Sequence, residues 1–140
     1  MLHYEKGKVE IERLLHLDRH SSKASHGELL GEIYDVLMEL SKGIDVFVRE
    51  RAFSRFPHET QALFKVIGIA DFVAWQCGQG FFEEIAPTTI KKTLTGSGKA
   101  SKKEVADSLK NYIEPADFST DDESDAVAVG IAWLLSRKLL

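Results

Sequence analysis

Short apolar stretches with two different periodicities predict both helices and strands in this chain. Apolar residues recur every three or four positions in two long segments, and capping signals open two more helices. Segments rich in β-branched and aromatic residues are typical of strands. The predicted helices are Glu28–Ser41, Glu59–Cys77, Thr88–Leu94, Ser101–Tyr112 and Thr120–Arg137, and the predicted strands are Leu2–Tyr4, Val9–Leu17, Ile44–Arg49 and Phe81–Ala86.

Strands that are separated by helices predict the α/β class with a mixed β-sheet flanked by helices. The length of 140 residues predicts one domain, 1–140, with a single core. No apolar run approaches the roughly 20 residues that span a bilayer, so we expect no membrane association. The only cysteine, Cys77, excludes an intrachain disulfide and fits a reducing cytoplasm.

The net charge of −4 argues weakly against a nucleic-acid-binding protein, but the charges are segregated. Six acids and no base lie between Glu114 and Asp125. This pattern suits an enzyme that holds phosphates and collects a divalent metal, although two solvated surface segments are the commoner explanation. Six lysines precede the acids: Lys91, Lys92, Lys99, Lys102, Lys103 and Lys110.

Three acids are candidate metal ligands. Asp122 and Asp125 lie three residues apart at the start of a predicted helix, which places them on one face, and the apolar run behind them predicts a buried helix. Glu50 ends an apolar strand, where α/β folds place ligand-binding groups. Carboxylates suit Mg²⁺ or Mn²⁺, and two such ions can activate water and stabilise the leaving oxygen of a phosphodiester. The alternatives are helix capping for the aspartates and a surface ion pair with Arg49 or Arg51 for Glu50.

Three motifs resemble the RuvC-like Holliday junction resolvases of the RNase H-like superfamily. Val48–Phe53 resembles their strand-end catalytic glutamate motif, and Ala86–Val105 resembles their lysine-bearing DNA-contact segment with its Thr-x-x-Gly-x-Gly turn. Asp121–Val129 resembles their Asp-x-x-Asp-Ala-x-Ala-hydrophobic ending. The order and separations agree, and the resemblance covers roughly Val9 to Leu135.

The resemblance implies an RNase H-like fold and a magnesium-dependent endodeoxyribonuclease that resolves four-way DNA junctions as a homodimer. It implies that Glu50, Asp122 and Asp125 are catalytic metal ligands, and that Phe53 stacks against bases at the junction centre. A core position is the alternative for Phe53. The DNA-binding residues that we expect beside it are Lys91, Lys92, Lys99, Lys102, Lys103, Arg51 and Arg55.

One element of the family pattern has no counterpart in these 140 residues. The family's first acid lies in a Gly-Ile-Asp-Pro-like motif on its opening strand, and Asp18, Asp45 and Asp71 are all misplaced for that role. We therefore expect an N-terminally truncated domain without the first strand and its catalytic aspartate. Such a chain should bind DNA but cleave junctions poorly. A catalytically incomplete DNA-binding remnant and an RNase H-like nuclease with another substrate remain as alternatives.

The predicted helix Glu59–Cys77 carries more apolar surface than one core face requires. Phe64, Ile69, Phe72 and Trp75 lie outside its core-facing set. Because four-way junctions have near two-fold symmetry, an isologous dimer would match them, and we expect this helix at its interface. Burial within the same chain is the alternative.

Overall fold

A computed structural model describes residues 1–17, 25–52, 57–80, 82–114 and 118–140. Phe53 and Arg55 therefore lie outside the described residues. The chain forms two compact units: the first comprises Met1–His16, Val48–Arg51 and Glu84–Leu140, and the second comprises Leu17–Phe47 and Ala52–Glu83. In the parts of the chain that are described, every helix is too short or too polar to cross a membrane.

The first unit begins with an antiparallel hairpin. Strand β1 (Leu2–Glu5) pairs with β2 (Lys8–Ile11), with Leu2 opposite Ile11. Lys6 and Gly7 connect them with φ angles of 49° and 84°. Positive φ at both central residues is the geometry of a tight hairpin turn, and glycine adopts it without steric cost.

A second pair of strands forms a separate two-stranded sheet in the chain's described part. Strand β3 (Val48–Glu50) pairs with β4 (Glu83–Ile85). The amide of Arg51 donates to the carbonyl of Ile85 at 2.8 Å, and that of Glu83 donates to the carbonyl of Phe47 at 2.8 Å. Residue numbers increase together along both strands, so this pair is parallel and places Glu50 at the carboxyl end of β3.

Three helices complete the first unit: α3 (Pro87–Thr95), α4 (Lys102–Ser108), which continues into a 3₁₀ turn at Leu109–Asn111, and α5 (Asp121–Ser136). Helix α4 opens with a capping box of Ser101 and Glu104, and α3 ends at Gly96 with a φ of 81°. Helix α5 is the centre of the core, because its residues Val127, Ala128, Ile131 and Ala132 are almost completely inaccessible.

The second unit is a pair of helices, α1 (His26–Leu40) and α2 (Pro57–Gln76). Ser25 and Glu28 form a capping box at the start of α1. The ring of Tyr34 on α1 stacks against Phe72 on α2, with centroids 6.4 Å apart. On the other side of α2, Val73 and Ala74 are fully buried.

The α/β class with parallel and antiparallel strand pairs agrees with the sequence prediction, but the strands are shorter than predicted. The predicted strand Val9–Leu17 ends at Ile11, and the predicted strand Ile44–Arg49 begins only at Val48. Gly43 turns the chain with a φ of 78°, and the carbonyl of Ile44 accepts a hydrogen bond from the side chain of Gln79 instead of from a strand. Within 44–47, Phe47 is buried whereas Val46 is exposed, and the carbonyl of Phe47 is the one that accepts a hydrogen bond from β4.

Candidate metal and DNA-binding site

Two of the three candidate carboxylates meet in one cleft of the first unit. The cleft has a volume of about 390 Å³ and is lined by Glu50, Pro87, Ile90, Lys91, Lys102, Val105, Asp125 and Ala128. Glu50 comes from the end of β3 and Asp125 from the first turns of α5. The cleft therefore combines two acids with two of the predicted DNA-binding lysines.

The flanking arginines do not neutralise Glu50, because both pair with Glu84 on the neighbouring strand. Arg49 donates to Glu84 from Nε and Nη2 at 3.0 and 2.9 Å, and Arg51 Nε lies 3.5 Å from the same carboxylate. The alternative of an ion pair between Glu50 and these arginines is thus not what the structure shows. Glu50 is left to face the cleft.

The electrostatic environment of Glu50 is unfavourable for its charge. Partial burial and the nearby negative charge of Asp125 raise the pKa of Glu50 above its usual value, and Lys102 and Lys91 partly offset this effect. A carboxylate whose charge is disfavoured by a neighbouring carboxylate is suited to bind a cation, because a positive ion beside it removes the repulsion.

Lys102 is bonded directly to Asp125. Its Nζ lies 2.9 Å from Asp125 Oδ2, with exposed side-chain fractions of 63% for the lysine and 37% for the aspartate. The hydrogen bond and the charge of Asp125 raise the pKa of Lys102, so this ammonium is fully protonated at neutral pH.

Asp122 is placed differently from Asp125. It lies one turn earlier on α5, is 71% exposed, and its Oδ2 is 3.6 Å from Nδ1 of His16. It is not among the side chains that line the cleft. Thr120 and Glu123, rather than Asp122, accept the capping hydrogen bonds, from the amides of Glu123 and Ser119. Asp122 nevertheless lies in the first turn of α5, where its charge interacts favourably with the helix dipole.

Oxygen donors of this kind fit a hard divalent cation. Throughout the described ranges, which omit 18–24, 53–56, 81 and 115–117, no three His, Cys, Asp or Glu side chains are grouped closely enough to hold a metal. Mg²⁺ commonly binds only one or two protein carboxylates and completes its shell with water or substrate phosphate. The number of carboxylates that line the cleft is therefore within the range that Mg²⁺ uses.

The remaining predicted lysines lie around the cleft on α3, on α4 and between them. Lys92, Lys99 and Lys103 are exposed, whereas Lys91 is half-buried where it lines the cleft. Lys110 pairs with Asp107 at 2.9 Å.

Sequence reasoning missed Glu84 and His16, because their partners come from distant segments and no local spacing indicates them.

A family model for the crossover junction endodeoxyribonuclease RuvC matches residues 18–133 of the chain. The chain belongs to the RuvC family. The RuvC protein of Beijerinckia indica is 33% identical over 118 residues, which cover 80% of this chain and 67% of that one. The RuvC protein of Sulfurovum is 27% identical over 118 residues, which cover 77% and 74%.

Solved RuvC structures confirm the predicted RNase H-like fold. The structure of Thermus thermophilus RuvC in complex with a Holliday junction substrate superposes with a TM-score of 0.82 at 20% identity, over 99% of this chain and 86% of that chain. A second structure of Thermus thermophilus RuvC gives a TM-score of 0.77 at the same identity and coverage. At this identity the likeness establishes the fold alone.

Substitutions of Glu50 and of Glu84 by Gln should have opposite effects on thermal stability. Glu50→Gln should raise the melting temperature slightly at pH 7, by at most a few degrees, because its raised pKa means that the ionised form is disfavoured in the folded protein. The cost of ionising Glu50 in the folded protein develops as the pH rises from the pKa of Glu50 in the unfolded chain to its higher pKa in the folded protein. Near pH 3 Glu50 is protonated in both states, so the higher melting temperature of Glu50→Gln should disappear there.

Glu84→Gln is the matched control on the neighbouring strand, and it should lower the melting temperature because it removes the ion pair between Glu84 and Arg49. Thermal melts at pH 7 and pH 3 measure both effects. A lower melting temperature for Glu50→Gln at pH 7 would show that the charge of Glu50 stabilises the fold, contrary to this account.

Proposed function

We propose that this chain acts on four-way (Holliday) DNA junctions in the cytoplasm as a divalent-metal-dependent endodeoxyribonuclease. The observation that carries the proposal is the cleft in which Glu50 and Asp125 lie beside Lys91 and Lys102. Membership in a family of crossover junction endodeoxyribonucleases supports the same reaction. The cleft combines the two requirements of phosphodiester hydrolysis, oxygen ligands for a cation and positive charge for phosphates.

In this proposal Glu50 and Asp125 would hold Mg²⁺ or Mn²⁺, and Asp122, which is exposed outside the cleft, would join them only after its side chain turns toward it. When bound, the cation would stabilise charge at the scissile phosphate and lower the pKa of a bound water. Lys91 at the wall of the cleft orients the DNA backbone. The exposed residues Lys92, Lys99 and Lys103 extend the positive surface along the bound DNA strand. Arg51 and the undescribed Phe53 and Arg55 are proposed to contact the DNA.

The experiment that tests this function compares a labelled four-way junction with a linear duplex of equal length, each incubated with Mg²⁺ or Mn²⁺. Paired nicks at symmetric positions of the junction, with little cutting of the duplex, support a resolvase. Equal cutting of both substrates favours another RNase H-like nuclease. Binding without cutting favours the non-catalytic alternative, which has its own support in the fact that only two carboxylates line the described cleft.

We propose that the second unit forms the interface of a homodimer. Phe64, Phe72 and Trp75 on α2 are exposed by 62%, 47% and 64%, and the rings of Phe72 and Trp75 stack 5.9 Å apart. These three aromatic residues and Gly68 are spaced by three or four positions, so they form one stripe along the helix. The space beside Gly68 is open. An apolar stripe of this kind commonly marks an interface, and a symmetric substrate favours a second copy as the partner.

The chain should therefore be a dimer at micromolar concentration by light scattering. Replacing Phe64 and Trp75 together by Glu should give a folded monomer, because two charges per subunit would be buried at the interface. Leu15→Glu is the control, since it places a charge on another exposed apolar residue. A monomeric unmodified chain contradicts this assignment.

A further inference from the structure

Lys102 lies where a carboxylate and a DNA phosphate would compete for its positive charge. Its Nζ donates to Asp125 at 2.9 Å, although Asp125 is one of the two carboxylates available for a cation and Lys102 is one of the two cleft lysines available for a phosphate. An ammonium and a divalent cation compete for the same carboxylate, because each satisfies its negative charge. While Lys102 holds Asp125, the carboxylate offsets part of its positive charge and so reduces its attraction for a phosphate.

The position of Lys102 allows it to change partners. Its side chain is 63% exposed at the start of α4, and a flexible four-carbon chain carries its ammonium group. Leaving Asp125 therefore exposes no buried charge and breaks no core contact. Lys91 lies in the same cleft and has no comparable bond to Asp125. Of the two lysines that line the cleft, Lys102 is therefore the one placed to respond to the state of that carboxylate.

We propose that Lys102 moves from Asp125 to a DNA phosphate when Asp125 binds a divalent cation, so that the cation and the DNA strengthen each other's binding. This inference rests on the proposed function and adds a coupling between its two ligands. Because linkage is reciprocal, the cation must raise the affinity for DNA by the same factor as the DNA raises the affinity for the cation.

The coupling is measured by fluorescence anisotropy of a labelled four-way junction with and without Ca²⁺ at constant ionic strength. For the unmodified chain we expect Ca²⁺ to tighten junction binding by about fivefold or more, the usual lower range of coupling between two sites. Lys102→Gln should weaken junction binding strongly with Ca²⁺ and only slightly without it. An ordinary phosphate-contacting lysine would lose the same factor in both conditions.

Three control variants separate this coupling from a general effect of charge. Lys103→Gln removes the neighbouring lysine and should weaken binding equally with and without Ca²⁺. Lys110→Gln breaks the other 2.9 Å lysine–aspartate bond, to Asp107, and should leave the coupling unchanged. Asp125→Asn should tighten junction binding without Ca²⁺, and this gain should disappear when Lys102→Gln is combined with it.

Cation binding without DNA gives a second readout that does not depend on turnover. Titration with Mn²⁺, followed by electron paramagnetic resonance, should show tighter binding to Lys102→Gln than to Lys91→Gln, which removes an equal charge from the same cleft. Equal Mn²⁺ affinities for these two variants, or a loss of junction affinity for Lys102→Gln that is independent of Ca²⁺, overturns the coupling alone. If the unmodified chain binds neither Mn²⁺ nor the junction, the proposed function fails as well.

Discussion

Replacing Glu50 by Gln or Asp125 by Asn should reduce junction cleavage by at least about a thousandfold, the scale of losing an electrostatic group at a reacting centre. Each amide keeps the shape of its side chain but removes the negative charge that holds the cation. Junction affinity should remain within about tenfold of the unmodified chain, because phosphates are bound by the lysines. Asp122→Asn is expected to impair cleavage as well, since Asp122 lies one turn from Asp125.

These variants need a background that cuts at a measurable rate. The described cleft contains two carboxylates, and positioning two cations for in-line attack is a stricter demand than binding one. We therefore expect slow but measurable cutting of junctions by the unmodified chain, followed in long incubations with Mg²⁺ or Mn²⁺. Strand-specific nicks are resolved on denaturing gels. Glu84→Gln and Asp107→Asn, which lie outside the cleft, are the controls.

Two results would contradict this account. One is junction cutting by the unmodified chain that needs no divalent cation, because it would remove the role assigned to Glu50 and Asp125. The other is undiminished cutting by Glu50→Gln or Asp125→Asn, because it would place the chemistry elsewhere.

Replacing Lys91 and Lys102 together by Gln should weaken binding of branched and linear DNA alike, by roughly ten- to a hundredfold at moderate salt. The logarithmic dependence of affinity on salt should also become shallower by about 1.8, since each phosphate contact contributes about 0.9. The measurement is anisotropy at several salt concentrations in the presence of Ca²⁺, where both lysines are available to the DNA. A loss confined to the junction would mean that these lysines read its shape.

The matched control removes two lysines from the β1–β2 hairpin. Lys6→Gln with Lys8→Gln changes the net charge by the same amount, and both residues are exposed outside the cleft. This variant should bind DNA almost as well as the unmodified chain. If the two double variants bind equally weakly, the effect is one of overall charge, and the lysine segment is an ordinary solvated surface.

The local patterns of the sequence predicted the helices well. The capping box at Ser101 and the apolar run after Asp125 depend on neighbours within one or two turns, so spacing alone reveals them. The strands were harder to delimit, because three- or four-residue strands depend on partners distant in sequence. Ile44 illustrates the difficulty, since its carbonyl is satisfied by Gln79 rather than by a strand.

The sequence predicted which residues lie in the candidate site, but not which ion pairs they form. The motifs indicated Glu50, Asp125 and the lysines, and the structure brings Glu50, Asp125, Lys91 and Lys102 into one cleft. They gave no sign that Lys102 is bonded to Asp125 or that Glu84 holds both arginines, because such pairs depend on how separate elements pack. The difference in environment between Asp122 and Asp125 arises in the same way.

The most direct test of the central claim, that Glu50 and Asp125 jointly hold a divalent cation, is the Mn²⁺ affinity of the purified chain measured by electron paramagnetic resonance. We expect Glu50→Gln and Asp125→Asn each to weaken Mn²⁺ binding by about tenfold or more, since a hard cation depends on charged oxygen ligands. Glu84→Gln, one strand away, should bind Mn²⁺ like the unmodified chain. Equal affinities for all four proteins would contradict the claim.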